Sequence, residues 1–234
     1  MSRRHLLAFL VLFRFLASSP ATARADSELP YRFHRLMLED GLSQSSIVSI
    51  HQDSRGFVWM GTQDGLNRYD GSKFITYKTD PDSPHSLSDP NITCIAEDPR
   101  GDLWLGTEGG GFNVYSRNLD LFTPYRNDPS QSSKHHYFDV RDVLVGEDGR
   151  IWLATLGDGL MAFTPGTGTF ETFLHDPKVP ESLASNEVHS LLAATDGTLW
   201  VGTSRGLSHF DPRTGLCRNE IHDPADDDSI LPGE

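Results

Sequence analysis

The sequence predicts an all-β fold, a β-propeller with four four-stranded blades, and three observations support this prediction. All four tryptophans occupy the same place in a recurring pattern, at Trp59, Trp104, Trp152 and Trp200. Their spacings of 45, 48 and 48 residues fall in the range typical of propeller repeats. Helix signals are poor, whereas 21 glycines and 14 prolines are typical of a chain with many tight turns.

Each repeat contains four short runs rich in Val, Ile, Phe, Trp and Thr, the residues that favour strands. The predicted strands of the first two repeats are Ile47–His51, Phe57–Thr62, Leu66–Tyr69, Phe74–Lys78, Ile92–Ala96, Leu103–Thr107, Phe112–Tyr115 and Phe122–Tyr125. Those of the last two are Val140–Val145, Ile151–Thr155, Leu160–Phe163, Phe170–Phe173, Val188–Ala193, Leu199–Thr203, Leu207–Phe210 and Leu216–Ile221. The second strand of each repeat is apolar on both faces, which indicates burial between blades, with the tryptophan as the wedge.

Glycines account for the turns between these strands. Gly56 and its counterparts stand three residues before each tryptophan, where a tight hairpin requires positive φ. A second glycine, such as Gly65, precedes each third strand. A third, such as Gly61, lies inside the second strand, where glycine indicates a bulge or a close approach of backbones; Ala154 replaces it in the third repeat. Asp-Pro pairs such as Asp80-Pro81 open the connection to the next repeat.

These patterns divide the chain into three parts. We assign residues 1–25 to a signal peptide, 26–32 to a linker and 33–234 to the propeller repeats. Phe33–Leu36 is predicted as a strand, the last of a blade whose first three strands are not in this chain. The blades are predicted at about residues 33–78, 87–125, 138–174 and 183–222, and the start of a fifth repeat at 229–234.

The N-terminus has the pattern of an export signal. Arg3 and Arg4 give it a positive start, the run Leu6–Phe13 is apolar, and residues 21–25 offer two small-x-small cleavage sites. The apolar run is shorter than the roughly 20 residues of a membrane span. A periplasmic or otherwise exported location follows. A short uncleaved anchor and a twin-arginine signal, loosely resembled by residues 2–7, are the alternatives.

Charge and cysteine content narrow the possible functions. The formal net charge is −13, which argues against nucleic acid as a partner, because phosphate binding requires an excess of Lys and Arg. Cys94 and Cys217 stand at non-equivalent positions of different repeats, which favours two separate thiols over a disulfide.

The repeats resemble the two-component regulator propeller repeat, whose pattern is approximately D-x-x-G-x-[IFL]-W-[IVL]-G-T, then G-L and an aromatic residue before Asp. The first copy begins at Asp53-Ser54-Arg55-Gly56 and runs through Trp59-Met60-Gly61-Thr62. The resemblance covers about residues 31 to 234. Its departures are Ala154 for glycine, and Gly146 and Ala194 where Asp53 and Asp98 stand.

This resemblance implies a seven-bladed ring outside the cytoplasmic membrane. In the family, a β-sandwich, a transmembrane helix and an output module commonly follow, and the output is a histidine kinase, a diguanylate cyclase or a DNA-binding domain. The resemblance therefore implies a ligand sensor, in known branches for oligosaccharides. Membrane attachment would come only from a C-terminal part that this chain lacks.

The predicted ends of the chain indicate a fragment of a longer receptor. The fourth repeat supplies its own fourth strand, so an additional strand at Phe33–Leu36 has no vacancy to fill. A closed four-bladed propeller is the alternative, since propellers have four to eight blades. Open blade faces in a four-bladed piece would favour self-association.

We predict no catalytic, cofactor-binding or metal-ligating residues, no cofactor, and no enzymatic activity in this chain; the ligand-binding residues are unknown. Gly109-Gly110-Gly111 is interpreted as a repeat turn, His135-His136 as a solvated loop and Asp226-Asp227-Asp228 as an acidic turn. Asn91-Ile92-Thr93 fits a glycosylation acceptor, which would be idle in a bacterium. A propeller-type carbohydrate-active enzyme, and a structural or protein-binding propeller, are the alternative functions.

Overall fold

The structure, a computed structural model, describes residues 33–125, 139–226 and 229–230. The chain forms two compact units, Met1–Arg35 and Leu36–Glu234. Of the first unit only residues 33–35 are described, and they have no regular structure. The predicted signal peptide and linker therefore lie outside the described residues. All secondary structure reported below belongs to the second unit.

Four antiparallel sheets of four strands each make up this unit, and each sheet has its strands in chain order. Blade 1 contains β1 (Ile47–Gln52), β2 (Val58–Thr62), β3 (Gly65–Tyr69) and β4 (Phe74–Tyr77). Blade 2 contains β5 (Ile92–Glu97), β6 (Leu103–Thr107), β7 (Phe112–Ser116) and β8 (Leu121–Tyr125). Blade 3 contains β9 (Val140–Val145), β10 (Ile151–Thr155), β11 (Leu160–Thr164) and β12 (Thr169–Phe173). Blade 4 contains β13 (Val188–Ala193), β14 (Leu199–Thr203), β15 (Gly206–Asp211) and β16 (Leu216–Ile221).

The predicted all-β propeller class and all sixteen strands of the four repeats are confirmed, with boundaries that differ by at most one residue. The additional strand predicted at Phe33–Leu36 is wrong. Residues 33–37 have no regular structure, and a 3-10 helix follows at Leu38–Asp40. Phe33 is 94% exposed. A strand requires a neighbour for its backbone groups, and no described sheet supplies one here.

Apolar side chains fill the three interfaces between successive blades. The first interface, between blades 1 and 2, holds Trp59 with Leu103 and Tyr115. The second interface holds Trp104 of blade 2, and the third holds Trp152 of blade 3, each packed with side chains of the following blade. These three tryptophans are 1–2% exposed. The predicted role as wedge between blades is therefore confirmed for them.

Trp200 differs from its three counterparts. It is half-buried, and among the described residues it belongs to none of the three buried apolar clusters. Its ring stacks instead on the imidazole of His209, with centroids 4.3 Å apart and planes inclined by 23°. The same motif position thus places one tryptophan in a different environment.

The glycine inside β2 is required by the neighbouring inner strand. Gly61 lies opposite Ser49, next to a register shift in β1. A Cβ on Gly61 would collide with the Ser49 hydroxyl and lie 2.8 Å from the carbonyl oxygen of Ile92. In blade 3 the facing pair is Asp142 and Ala154. There the Asp142 carboxylate accepts hydrogen bonds from the amides of Val143 and Leu191, and the Ala154 methyl is fully buried.

Candidate functional site at the connection end

The loops lie at two opposite ends of each blade, because successive turns of an antiparallel meander alternate between its ends. At the connection end lie the segments that link one blade to the next, such as residues 78–91 and 174–187, with the turns between second and third strands. At the hairpin end lie the turns between first and second strands and between third and fourth strands. Binding residues in rigid scaffolds concentrate on such loops.

Buried polar side chains hold the loops of the connection end in place. Asn113, fully buried on β7, accepts a hydrogen bond from the amide of Ser88 at 3.0 Å and donates one to the Ser88 hydroxyl at 2.7 Å. Asn67 makes the same two bonds to Ser43, at 3.0 and 2.8 Å. Each bond ties a third strand to the segment that precedes its own blade. The loops are therefore positioned before any ligand arrives, which lowers the entropic cost of binding.

Four charged side chains and one asparagine gather at this end between blades 2 and 3, in a group that we call the Asp139 cluster: Asp89, Asn91, Glu108, Asp139 and Arg141. The Arg141 Nη2 atom donates to Asp139 Oδ2 at 2.8 Å. Asn91 donates its backbone amide to Asp89 Oδ1 at 2.8 Å and its side-chain amide to Glu108. The turn between β6 and β7 completes the group, because the Glu108 amide donates to the Asn91 carbonyl oxygen at 3.1 Å.

The Asp139 cluster has unused hydrogen-bonding capacity. Asp139 Oδ1 and Arg141 Nε are buried and have no partner among the described residues. Burial raises the pKa of Asp139 above its ordinary value; Arg141 opposes this, and the like charges of Glu108 and Asp89 add to it. Unpaired buried polar atoms are costly, so their presence favours a role in binding. The cluster offers acceptors and a guanidinium donor to a polar ligand rich in hydroxyl groups.

A pocket of about 330 Å³ also opens at the connection end, between residues 175–184 and the outer strand of blade 4. Polar side chains that line this pocket form hydrogen bonds to the backbone of the loop. Asn219 Nδ2 donates to the carbonyl oxygen of Ser182 at 2.7 Å, and His175 Nδ1 donates to the carbonyl oxygen of Leu183 at 2.6 Å. These two bonds stabilise the loop that forms the pocket, whereas the Asp139 cluster keeps two buried atoms without a partner among the described residues.

The hairpin end of the first interface contains a buried ionic group that serves stability. Arg117 of blade 2 donates to Asp53 of blade 1 and to Glu97 of its own blade, at 3.0 and 2.9 Å. Asp53 also accepts the indole N–H of Trp59 at 2.8 Å. Ser54 donates its amide and hydroxyl to Glu97. Every one of these bonds fixes a hairpin or a neighbouring blade.

The residues considered as candidate sites in the sequence lie at the following positions in the structure. Gly109–Gly111 forms the turn between β6 and β7, where the Gly111 carbonyl oxygen accepts from the Thr107 hydroxyl at 2.8 Å. Asn91 belongs to the Asp139 cluster, and Thr93 bonds to the carbonyl oxygen of Val140. Asp226 lies in a turn, its amide donating to the Asp223 carbonyl oxygen. His135-His136 and Asp227-Asp228 lie outside the described residues. Within the described part, no group of three or more His, Cys, Asp or Glu side chains is arranged to hold a metal ion.

Sequence reasoning missed the Asp139 cluster, because its members come from two blades and share no spacing. The two buried asparagines, in contrast, could have been recognised from the sequence. Asn67 and Asn113 follow the Gly-Leu and Gly-Phe pairs that open two third strands, while Met161 and Ser208 stand at the same place in the other two. A polar residue in a strand buried on both faces indicates a buried hydrogen-bond partner.

Residues 41–64, 86–109 and 182–205 match the model of the two-component regulator propeller family. Three segments of this chain therefore carry the two-component regulator propeller repeat. Each matched segment runs from the connection through the first two strands, the second of which contains the tryptophan, and ends in the turn that follows. Blade 3 of the regulator propeller, which has Gly146 and Ala154 in place of the repeat's Asp and Gly, is not among the matched segments.

Relatives of this regulator propeller include a signalling protein. The chain is 40% identical over 79 residues to histidine kinase P4 of Formosa agariphila, a match that spans 34% of this chain and 6% of the kinase. It is 24% identical to the extracellular domain assigned to a hybrid two-component system of B. thetaiotaomicron, covering 79% of this chain and 31% of that one, with a TM-score of 0.46. The match thus spans a small part of each relative.

The fold is also shared with an enzyme. A virginiamycin B lyase of Staphylococcus aureus, solved with quinupristin as an inactive variant, is 16% identical and has a TM-score of 0.58. That match covers 79% of this chain and 58% of the lyase. At this identity the likeness concerns the fold alone. Among the described residues of the regulator propeller, no helix has the length and apolar character needed to cross a membrane.

Proposed function

We propose that this chain is the ligand-sensing, extracytoplasmic propeller of a two-component-type receptor, a sensor histidine kinase or a diguanylate cyclase. The observation that carries this proposal is the match of three repeats to the regulator propeller family. The shared segment with a histidine kinase supports it. The N-terminal signal pattern supplies the export step: a cleaved signal of about residues 1–25 delivers the propeller to the periplasm.

The proposed ligand is an oligosaccharide, bound at the Asp139 cluster. Sugar hydroxyl groups both donate and accept hydrogen bonds, and the cluster presents carboxylates and a guanidinium within one patch. The chain itself is non-catalytic in this proposal, and transmission belongs to the output module of the complete receptor. Self-association through uncovered blade faces stays a prediction, which sedimentation velocity of the mature chain tests directly.

Export is tested by fusing the full chain to alkaline phosphatase, which is active only outside the cytoplasm. We expect activity from the fusion and none after deletion of residues 1–25. An inactive fusion that accumulates in the cytoplasm would contradict the extracytoplasmic location, whatever the ligand.

Ligand binding is tested by thermal melting of the mature chain with a panel of oligosaccharides, because a ligand that binds only the folded state raises the Tm. The variant Arg141→Gln removes the guanidinium of the cluster, and Arg218→Gln, at a position 82% exposed on β16, is the matched control. We expect a ligand that raises the Tm of the wild type and of Arg218→Gln more than that of Arg141→Gln. Equal shifts in both variants would place the ligand elsewhere, and no shift with any sugar would exclude the panel as ligands.

A further inference from the structure

Each of the three interfaces brings together the same two faces of successive blades. The trailing face of one blade, which carries the tryptophan, packs on the leading face of the blade that follows it. Within the described part of the chain, no blade packs on the leading face of blade 1 or on the trailing face of blade 4. The three interfaces therefore show what kind of surface fits each of these two open faces.

The leading face of blade 1 is apolar and open. Ile47 is 44% exposed and Ile50 is 66% exposed. At the same register positions in blades 2, 3 and 4, the counterparts of Ile47 are fully buried and those of Ile50 pack in the three interfaces. These counterparts are Ile92, Val140 and Val188 for the first position, and Ile95, Val143 and Leu191 for the second. Blade 1 thus has the side chains that the other leading faces bury.

The trailing face of blade 4 is the matching surface. Leu192 lies opposite Trp200 in the register, and Leu207 lies opposite Gly202. Leu192 is 64% exposed, and Trp200 and Leu207 are half-buried. In blades 1 to 3 the counterparts of Trp200 and Leu207 are buried in the interfaces: Trp59, Trp104, Trp152, Leu66, Phe112 and Leu160. Blade 4 therefore lacks the cover that the same positions have in the other three blades.

We propose that the trailing face of blade 4 packs on the leading face of blade 1 in a second copy of this chain, and that two such contacts close a ring of eight blades. Each contact repeats the plan of the internal interfaces, with Trp200 as the wedge against Ile47 and Ile50 of the other copy. Eight blades lie within the range of four to eight that propellers have. Closure rather than a filament is expected, because a closed ring leaves neither apolar face open.

The contact should be weaker than the internal interfaces. On the outer strand, Glu220 lies opposite Leu207, where Tyr77 and Phe173 lie opposite the corresponding residues of blades 1 and 3. The apolar contact is therefore limited to the first three strands of blade 4. Two separate chains also lose translational and rotational freedom when they associate. We expect a reversible dimer that separates on dilution.

Sedimentation velocity of the mature chain over a range of concentrations tests the proposal with two variants. Ile50→Glu places a charge on the face of blade 1, and Leu192→Glu places one on the face of blade 4. Each variant alone should be monomeric. An equimolar mixture should form a dimer, because the first variant keeps its blade 4 face and the second keeps its blade 1 face. This dimer should require a higher concentration than the wild type, since one contact of the two remains.

Val179→Glu is the matched control, because it adds the same charge at a position 40% exposed on the connection between blades 3 and 4. It should dimerise as the wild type does, and far-UV circular dichroism of every variant verifies that the blades are folded. A dimer that persists in either single variant would show that two like faces meet, which overturns the proposal. A wild type that stays monomeric, one that polymerises beyond a dimer, or a folded mixture that does not associate also overturns it. The proposal does not rest on the sensor function, and none of these outcomes alters the tests of export and ligand binding.

Discussion

Arg117 of blade 2 bonds to Asp53 of blade 1 at 3.0 Å across 64 positions of sequence, and both side chains are buried, at 7% and 0% exposure. The carboxylate is shared with Trp59, so one aspartate joins the hairpin of its own blade to the next blade. This relationship makes the first interface the most firmly connected of the three at the hairpin end.

Arg117→Ala should therefore destabilise the chain strongly. Removal of one partner leaves Asp53 as an uncompensated buried charge, which costs about 3–5 kcal/mol. Urea unfolding measures the change. The control is Arg218→Ala, because the side chains of the Arg218–Glu220 pair are both exposed, at 82% and 47%, and such a pair should contribute less than about 1 kcal/mol. Similar losses in both variants would contradict the distinction.

The tryptophans should differ in their contribution to stability although their motifs match. Trp104→Ala empties a buried position in the second interface and should cost about 3–5 kcal/mol. Trp200→Ala removes a half-buried ring whose main partner is His209, and it should cost clearly less. Denaturant midpoints of the two variants decide this. Equal denaturant midpoints for the two variants would contradict this, and would mean that the Trp200 ring is as well buried in solution as that of Trp104.

Stability should fall in acid partly through Glu97. Burial alone would raise the pKa of this carboxyl, but the bonds from Ser54 and the charge of Arg117 hold it below 4.5. A lowered folded-state pKa contributes stability that is present above about pH 4.5 and is lost as the pH falls through the folded value. Unfolding of the wild type and Glu97→Gln from pH 7 to 3 should show a difference that shrinks towards acid. A constant difference would mean that packing, not charge, explains the effect.

The two thiols should be unreactive in the folded chain. Both are free and buried, and burial raises the pKa of Cys94 to about 12 and that of Cys217 to about 11. Since the thiolate is the nucleophile, reaction with a disulfide reagent at pH 8 should be slow and should accelerate on unfolding. Rapid labelling of two thiols in the native chain would contradict this burial.

The strands could be predicted because local sequence features, such as the glycine positions, determine where they begin and end. Gly56 has φ +89° in the hairpin that its spacing predicts, and Gly61 lies at the predicted bulge. The error at Phe33–Leu36 has a different origin. Its residues favour a strand, but a strand forms only where a partner accepts its backbone hydrogen bonds, and one sequence segment does not reveal its partner.

The candidate sites were less predictable, because their chemistry arises between blades. Arg117 is an ordinary turn arginine in sequence, and only the packing of blade 2 on blade 1 brings it to Asp53. Asp139 and Glu108 are likewise unremarkable acids whose proximity depends on the turns. Gly146 was visible as a departure from the repeat, but only the fold shows that the Asp148 carboxylate accepts the Arg150 amide there, as Asp53 accepts the Phe57 amide in blade 1.

The uneven filling of the interfaces has a consequence for cooperativity. In arrays where each unit contacts only its neighbours, stability is close to a sum of unit and interface terms. Blades 1 and 2 are joined by Arg117 and Asp53, whereas a pocket of about 220 Å³, lined by Trp152 among others, lies between blades 3 and 4. Native-state hydrogen exchange should then find protection graded along the chain, with amides of β14 and β15 opening at lower free energy than those of β6 and β7. The chain would melt as a sequence of steps rather than as one transition.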